Sequence, residues 1–223
     1  IGKKIQQEFF QKLGFYNKIS LEIDETAIPS ANPNYWGELE TMTIGYGHGF
    51  AVTPLHLIQA YASIVNGGYK VEPTLLLKHN NPLFMERIIN TSTSRLVREL
   101  LRAVVSQTKY TGPRVKIKGY EIGGKTGTAE LIDRSGGYIK DANRTTFVGV
   151  FPMSRPKYVV LAIIEDPQKI ADENYSNTAA TVVTPLVKNI IVNMIKILSI
   201  SPNLHNDFLK ASNEKFVLEN NNA

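Results

Sequence analysis

Cysteine is absent from the 223 residues, which excludes a disulfide framework, thiolate metal sites and a cysteine nucleophile, and leaves the redox compartment open. Long hydrophobic runs are also lacking. A bilayer-crossing helix needs about 20 apolar residues, and the longest candidates, 158–164 and 190–200, are a strand-length run and an interrupted amphipathic segment. No charged leader followed by an apolar block opens the sequence; it starts at Ile1 inside a helical pattern, as a piece of something longer would. Basic side chains outnumber acidic ones 25 to 20, but they are scattered, without the lysine or arginine run that tracks a phosphate backbone, so nucleic acid is not an expected partner. Four histidines without paired spacing give no metal site, and no organic cofactor has support. The glycines of TIGYGHGFAVTP, 43–54, lack the third glycine of a dinucleotide fingerprint.

What remains is a chain with 43% hydrophobic residues, enough for the core of one large domain. Ile5, Phe9, Phe10 and Leu13 recur at helical spacing, with Gly14 as a stop. The stretch 15–35, with Pro29 and Pro33, reads as a surface loop. Thr53 is a good N-cap and Pro54 a good first residue for a helix whose face is Leu57, Ile58, Tyr61, Ala62 and Val65, ending at Gly67 and Gly68. His48 and His56 flank that cap without an acidic or nucleophilic partner at a telling spacing. A short strand is expected over 71–77, and a helix over 94–108 capped by Thr91-Ser92-Thr93, with the stripe Leu96, Val97, Leu100, Leu101, Val104 and Val105. Gly112-Pro113 breaks the chain. The apolar runs 146–151 and 158–164 are joined by six residues, which permits an antiparallel hairpin and forbids a parallel crossover. A last helix over 178–198 is expected to present Val182, Leu186, Ile190, Met194, Ile197 and Leu198 to a sheet or helix partner, before a polar tail over 201–223.

The stretch 119–130, GYEIGGKTGTAE, organises the rest. By letter it satisfies the phosphate-loop pattern through Gly119, Gly124, Lys125 and Thr126, and VVLAIIED, 159–166, resembles an apolar strand ending in a magnesium-holding acid. A phosphate loop must start a helix at its lysine so that N-terminal N–H groups point at the phosphates. Here Gly127 follows at once, at a cost of about 1 kcal/mol inside a helix, and a hairpin replaces the crossover that a phosphate-loop sheet demands. Read as a strand, the same residues cohere. Thr126 and Thr128 project to one side and Lys125 to the other, while Gly127 allows a bound chain close to the backbone. Two hydroxyls beside an exposed N–H suit a carboxylate or a developing oxyanion, and a nearby ammonium favours deprotonation of a proton-relaying hydroxyl.

Three stretches in order, TIGYGHGFAVTPLHLIQAYASIVNGG (43–68), KGYEIGGKTGTAE (118–130) and FVGVFPMSRPKYVVLAIIEDP (147–167), resemble the class B penicillin-binding proteins, most of all the septal peptidoglycan transpeptidases, over about residues 1–198. The resemblance implies an α+β, penicillin-recognising fold, like that of serine β-lactamases and transpeptidases. In it an antiparallel sheet carries helices packed on it, and the Lys125-Thr126-Gly127-Thr128 strand lines the cleft as its edge. It implies that Lys125 links to the serine network, that Thr126 and Thr128 bind the carboxylate of substrate or β-lactam beside Gly127, and that the Thr128 N–H forms half of an oxyanion hole. Tyr138, expected in the loop after that strand, is a further candidate for a cleft wall. It further implies peptidoglycan stem peptides, β-lactam antibiotics and cell-division proteins as partners, and the periplasmic side of the inner membrane, with an anchor outside this chain.

That family uses S-x-x-K, S-x-N and K-T-G in chain order, and only the third is credible here. Ser106-Lys109 lies too close to Lys125, while Ser154-Lys157 and Ser212-Lys215 follow it. Ser30-Ala31-Asn32 matches S-x-N in a proline-rich loop with no S-x-x-K before it. The expectation is therefore a C-terminal half of a transpeptidase domain, over 1–200, that supplies the wall but not the nucleophile and is inactive alone. The other readings are a serine β-lactamase-like hydrolase, whose deacylating glutamate loop is not found, and a non-catalytic peptidoglycan-binding relative.

Overall fold

The computed structural model describes residues 2–30, 36–77, 86–133, 136–168 and 176–202. Its centre is a three-stranded antiparallel sheet in sequential order, β1 (Gly123–Ile132), β2 (Tyr138–Phe151) and β3 (Tyr158–Glu165). β2 is longer than its apolar run because it also pairs back along β1, with Gly124 opposite Gly149, Thr126 opposite Phe147 and Thr128 opposite Thr145. β3 pairs with the other side of β2, Ala162 opposite Phe147 and Val159 opposite Val150. Opposed residues share a face, so each face can be read from its partners. One carries Thr145, Phe147, Phe151, Ala162 and Ile164, and packs on α6 (Val183–Ile197) through Val183, Val187 and Ile191. The other carries Val150 and Val159 and packs on α3 (Pro54–Val65) and α4 (Thr91–Gln107) through Val65, Val97 and Leu101. Phe147 and Phe151 are wholly buried, each worth about 1.5–3 kcal/mol of apolar burial.

Several local expectations change. Fixed contacts decide the helix faces more narrowly than hydrophobic period alone. In α4 the buried positions are Ser94, Leu101 and Val105, whereas Leu96 and Leu100 are 55% and 58% exposed, and the cap is Asn90, whose Oδ1 accepts from the Thr93 N–H at 2.8 Å. The inward face of α6 is Val183, Thr184, Val187 and Ile191, a residue on from the expected stripe, which leaves Leu186, Ile197 and Leu198 exposed; residues 178–182 form a turn before the helix. In α3 the cap Thr53 and the first residue Pro54 stand as expected, but the fully buried set is His56, Gln59, Ala60, Ser63 and Val65, with Leu57, Ile58 and Tyr61 half-buried. Three of those buried residues are polar, and for Ser63 and His56 hydrogen bonds make this tolerable: Ser63 Oγ donates to the Gln59 carbonyl at 2.7 Å and accepts from the Val71 N–H at 2.9 Å, and both ring nitrogens of His56 have partners.

Residues 71–77 form no strand; only an isolated bridge links Tyr69 to Arg87. Gly68, at φ +93°, lies there so close to the Ile89 carbonyl that an added Cβ would fall 2.1 Å from its oxygen. Gly112 and Pro113 do not simply break the chain but open a single helical turn, α5 (Gly112–Val115). A helix the hydrophobic pattern did not signal, α2 (Glu38–Gly45), starts where the Glu40 carboxylate reaches back to the Gly37 N–H at 2.8 Å. α1 (Lys3–Lys12) buries none of its residues and leaves Ile5 58% exposed. Its Phe9 and Phe10 lean on a satellite core of Leu13, Phe15, Ala60 and Ile88, and Phe10 meets Phe15 and Trp36 edge to face at 5.3 and 5.4 Å. Among the described residues, no helix is long and apolar enough to cross a membrane. Of the polar tail over 201–223, all but Ser201 and Pro202 lies outside the described residues.

Candidate active-site strand

Lys125 and Thr126 lie within β1, and no helix begins there, which removes the geometry a phosphate loop requires. β1 is an edge: among the described residues it pairs only with β2. Its first residues are buried because they are packed, and the run from Lys125 to Glu130 is open apart from half-buried Thr126. The register assigns the faces. Lys125 stands opposite Val148 and Gly127 opposite Thr146, on the side of α3 and α4. Thr126 and Thr128 stand opposite Phe147 and Thr145, on the side of α6. The Lys125 ammonium donates to the Thr126 carbonyl at 2.8 Å and is otherwise exposed.

The two threonines have different surroundings. Thr128 Oγ1 accepts from the Ala179 N–H at 3.1 Å, in the turn that leads into α6. With one lone pair so engaged, the hydroxyl keeps its proton for a further acceptor. Thr126, between Lys125 and Gly127, borders the same strip. The glycines of the stretch divide sharply. A Cβ on Gly123 would lie 2.6 Å from the Met153 sulfur, and one on Gly124 2.5 Å from both the Phe147 ring and the Val148 carbonyl oxygen. A Cβ on Gly127 would meet nothing nearer than Thr146 Cβ at 3.7 Å, an ordinary contact. Gly124 is thus required by internal packing, a Cβ on Gly123 would have to displace the end of the Met153 side chain, and Gly127 is under neither constraint.

Tyr138 lies not in a loop but at the start of β2, because β2 pairs back along β1 as far as Ile132, which stands opposite it. Its hydroxyl is hydrogen-bonded to His48 Nε2 at 2.9 Å, and the His48 ring stacks on Tyr46 with centroids 6.3 Å apart. The glycine-rich stretch before α3 therefore touches the β1–β2 hairpin. Hydrophobic period carried no signal for this contact across 90 residues, although Tyr46 and His48 stand in one of the three resembling stretches. His56 is a core residue, with Nδ1 2.7 Å from Thr53 Oγ1 and Nε2 2.9 Å from the Asn17 carbonyl. Ser106 lies exposed in the last turn of α4 and Ser154 lies in the β2–β3 connection, neither beside Lys125 in sequence or sheet register. Asn32 and the Ser212-Lys215 match lie outside the described residues.

The antiparallel sheet with helices on both faces is the penicillin-recognising fold of the solved transpeptidase domains. Residues 1–191 match the family described as penicillin binding protein transpeptidase domain, and the chain belongs to that family. A peptidoglycan D,D-transpeptidase FtsI homolog of Mesostigma viride is 30% identical over 92% of this chain and 38% of its own length. Peptidoglycan D,D-transpeptidase FtsI of Escherichia coli is 32% identical over 75% of this chain and 27% of its own length. Among solved structures, the transpeptidase domain of Burkholderia pseudomallei penicillin-binding protein 3 superposes with a TM-score of 0.79 at 25% identity, covering 92% of this chain and 60% of that one. Penicillin-binding protein 3 of Mycobacterium tuberculosis, complexed with aztreonam, gives 0.78 at 25% identity, covering 91% and 48%. The chain thus spans about a third of the length of these curated relatives.

Proposed function

We propose that this chain is the C-terminal half of a serine D,D-transpeptidase domain that cross-links peptidoglycan stem peptides and is acylated by β-lactams. The observation that carries the reading is the open strip of β1, where Lys125 stands on one face, Thr126 and Thr128 stand on the other, and Gly127 leaves the backbone bare between them. A carboxylated peptide laid along that strip adds main-chain hydrogen bonds to an unpaired edge. The threonine hydroxyls donate to its terminal carboxylate. The Thr128 N–H faces the oxygen that becomes anionic when an acyl carbon is attacked. Lys125 supplies positive charge at a hydroxyl that relays a proton to the leaving group.

The nucleophilic serine and its lysine belong to a preceding half of the domain. A serine there attacks the carbonyl of the penultimate D-alanine, the terminal D-alanine leaves with a proton, and an amine on a neighbouring strand takes the acyl group from the serine. β3 supports a missing half: among the described residues its outer edge is unpaired, and seven of its eight residues are only half-buried despite their apolar character. Such an edge is a template for a further strand. With the solved relatives aligned along this chain for only about half to three-fifths of their own length, that half is the natural occupant. Action at septation, on the periplasmic side of a membrane and beside cell-division proteins, belongs to the same proposal, in keeping with relatives named peptidoglycan D,D-transpeptidase FtsI.

The test is labelling with a fluorescent penicillin. The 223-residue chain alone stays unlabelled, and a longer protein that includes the upstream S-x-x-K segment is labelled covalently at that serine. Labelling of the short chain at any serine refutes the division of labour, and an unlabelled longer protein refutes the enzyme.

A further inference from the structure

Thr184 is wholly buried in the first turn of α6. Its hydroxyl donates to the Ala179 carbonyl at 2.9 Å, and its own N–H bonds the same oxygen at 3.1 Å, as does the Val183 N–H at 3.2 Å. Three donors converge on one peptide oxygen, and Ala179 itself is 1% exposed. The other polar group of Ala179, its N–H, is the donor to Thr128 Oγ1. A side chain in the core of α6 is therefore tied, through one immobilised alanine, to the exposed end of the Lys-Thr-Gly-Thr strip. A valine at 184 would fill the same volume and leave the Ala179 carbonyl with its two backbone donors, so the threonine hydroxyl is not needed to satisfy the core. What it adds is a fixed direction for the Ala179 backbone.

We infer that Thr184 is a positioning residue for the carboxylate seat: it holds Ala179 so that the Ala179 N–H occupies one lone pair of Thr128 Oγ1 and turns the Thr128 proton outward. A hydroxyl that rotates freely donates to solvent or to a neighbouring carbonyl for part of the time, and a held one is preorganised for the guest. The inference rests on the reading of Thr128 under the proposed function, and the experiment separates the two.

The longer, labelled protein is made with Thr184→Val, Thr184→Ser, Thr128→Val and the Thr128→Val/Thr184→Val pair. Penicillin acylation is resolved into the dissociation constant of the first complex and the acylation rate, alongside thermal unfolding. Thr184→Val is expected to raise the dissociation constant about threefold to tenfold, matching loss of about one neutral hydrogen bond, and to change the acylation rate less. Thr184→Ser restores wild-type binding, and Thr184→Val has no further effect when Thr128 is already valine. Unchanged binding in Thr184→Val, or a loss that persists undiminished in the Thr128→Val background, overturns the positioning role while leaving the seat intact. Wild-type binding by Thr128→Val overturns the seat, and the inference with it.

Discussion

Gly127→Ala separates what the fold requires from what the guest requires. The new methyl group would sit 3.7 Å from Thr146 Cβ, with no closer neighbour within the chain. Folding therefore pays no steric penalty, and replacing a glycine within a strand restricts the unfolded chain, for a gain of about 0.5–1 kcal/mol. Gly124→Ala is the contrasting variant: its methyl would be forced to 2.5 Å from the Phe147 ring and the Val148 carbonyl oxygen, and overpacking of that kind costs about 1–3 kcal/mol or more. For a chain of this size each kcal/mol is worth about 2–4 °C of melting temperature. Thermal unfolding should thus show Gly127→Ala level with or slightly above the wild type and Gly124→Ala several degrees below it. The order reverses for the guest. A methyl standing on the bare strip keeps a peptide or β-lactam from its main-chain hydrogen bonds, and loss of one or two of these slows acylation of the full transpeptidase about tenfold or more, since each 1.4 kcal/mol is tenfold. If Gly127→Ala is acylated at the wild-type rate while fully folded, no ligand backbone approaches β1 there, and the functional reading of the strip is wrong.

Ser94 has no measurable exposure, accepts from the Gly67 N–H at 3.1 Å and donates to the Ile64 carbonyl at 2.6 Å. Ser94→Ala should destabilise by about 1–3 kcal/mol, read by urea unfolding, because it orphans two backbone groups at the end of α3. Burial raises the pKa of Tyr61. In the unfolded chain this phenol loses its proton near its ordinary value, before the native one does, so the native state holds more protons in alkali. Its contribution to stability is complete below about pH 10 and declines as pH rises through the raised value. Urea unfolding from pH 8 to 11 should show a shallower alkaline decline for Tyr61→Phe than for the wild type, and identical slopes would contradict that assignment. Replacing His48 by alanine removes the partner of the Tyr138 hydroxyl. Because that pair is exposed, stability should move by less than about 1 kcal/mol, while increased mobility of the hairpin end would appear in hydrogen exchange over 136–140.

The strand character of Lys125 was legible because Gly127 argues against a helix and the short connector 152–157 forces a hairpin; both constraints are local. The division of Lys125 from Thr126 and Thr128 followed from the period of a strand, and the register carries it through to Val148 on one face and Phe147 on the other. Helix existence was also readable for α3 and α4, whose apolar periods are long and whose caps are strong. Their buried faces were less so. Leu96 and Leu100 repeat at helical spacing yet are exposed, and an inward position of α6 is taken by Thr184, whose hydroxyl donates to the Ala179 carbonyl. Sequence period cannot show the link from Thr184 through Ala179 to Thr128, since it joins elements more than 50 residues apart by way of a main-chain N–H. The same holds for His48 and Tyr138. α2 was missed because its start depends on the Glu40 carboxylate folding back on Gly37, while two of its three large apolar residues, Leu39 and Met42, are exposed.

The claim on which the account turns is that Thr126 and Thr128 form the seat for the guest's carboxylate. It is tested most directly by comparing acylation of the longer protein by a penicillin and by the same penicillin with its carboxylate converted to the methyl ester, in the wild type and in Thr126→Val/Thr128→Val. The wild type should prefer the free carboxylate by about tenfold or more, as charge-assisted hydrogen bonds require, and the double variant should treat the two compounds alike. An undiminished preference in the folded double variant would place the carboxylate elsewhere and contradict the account.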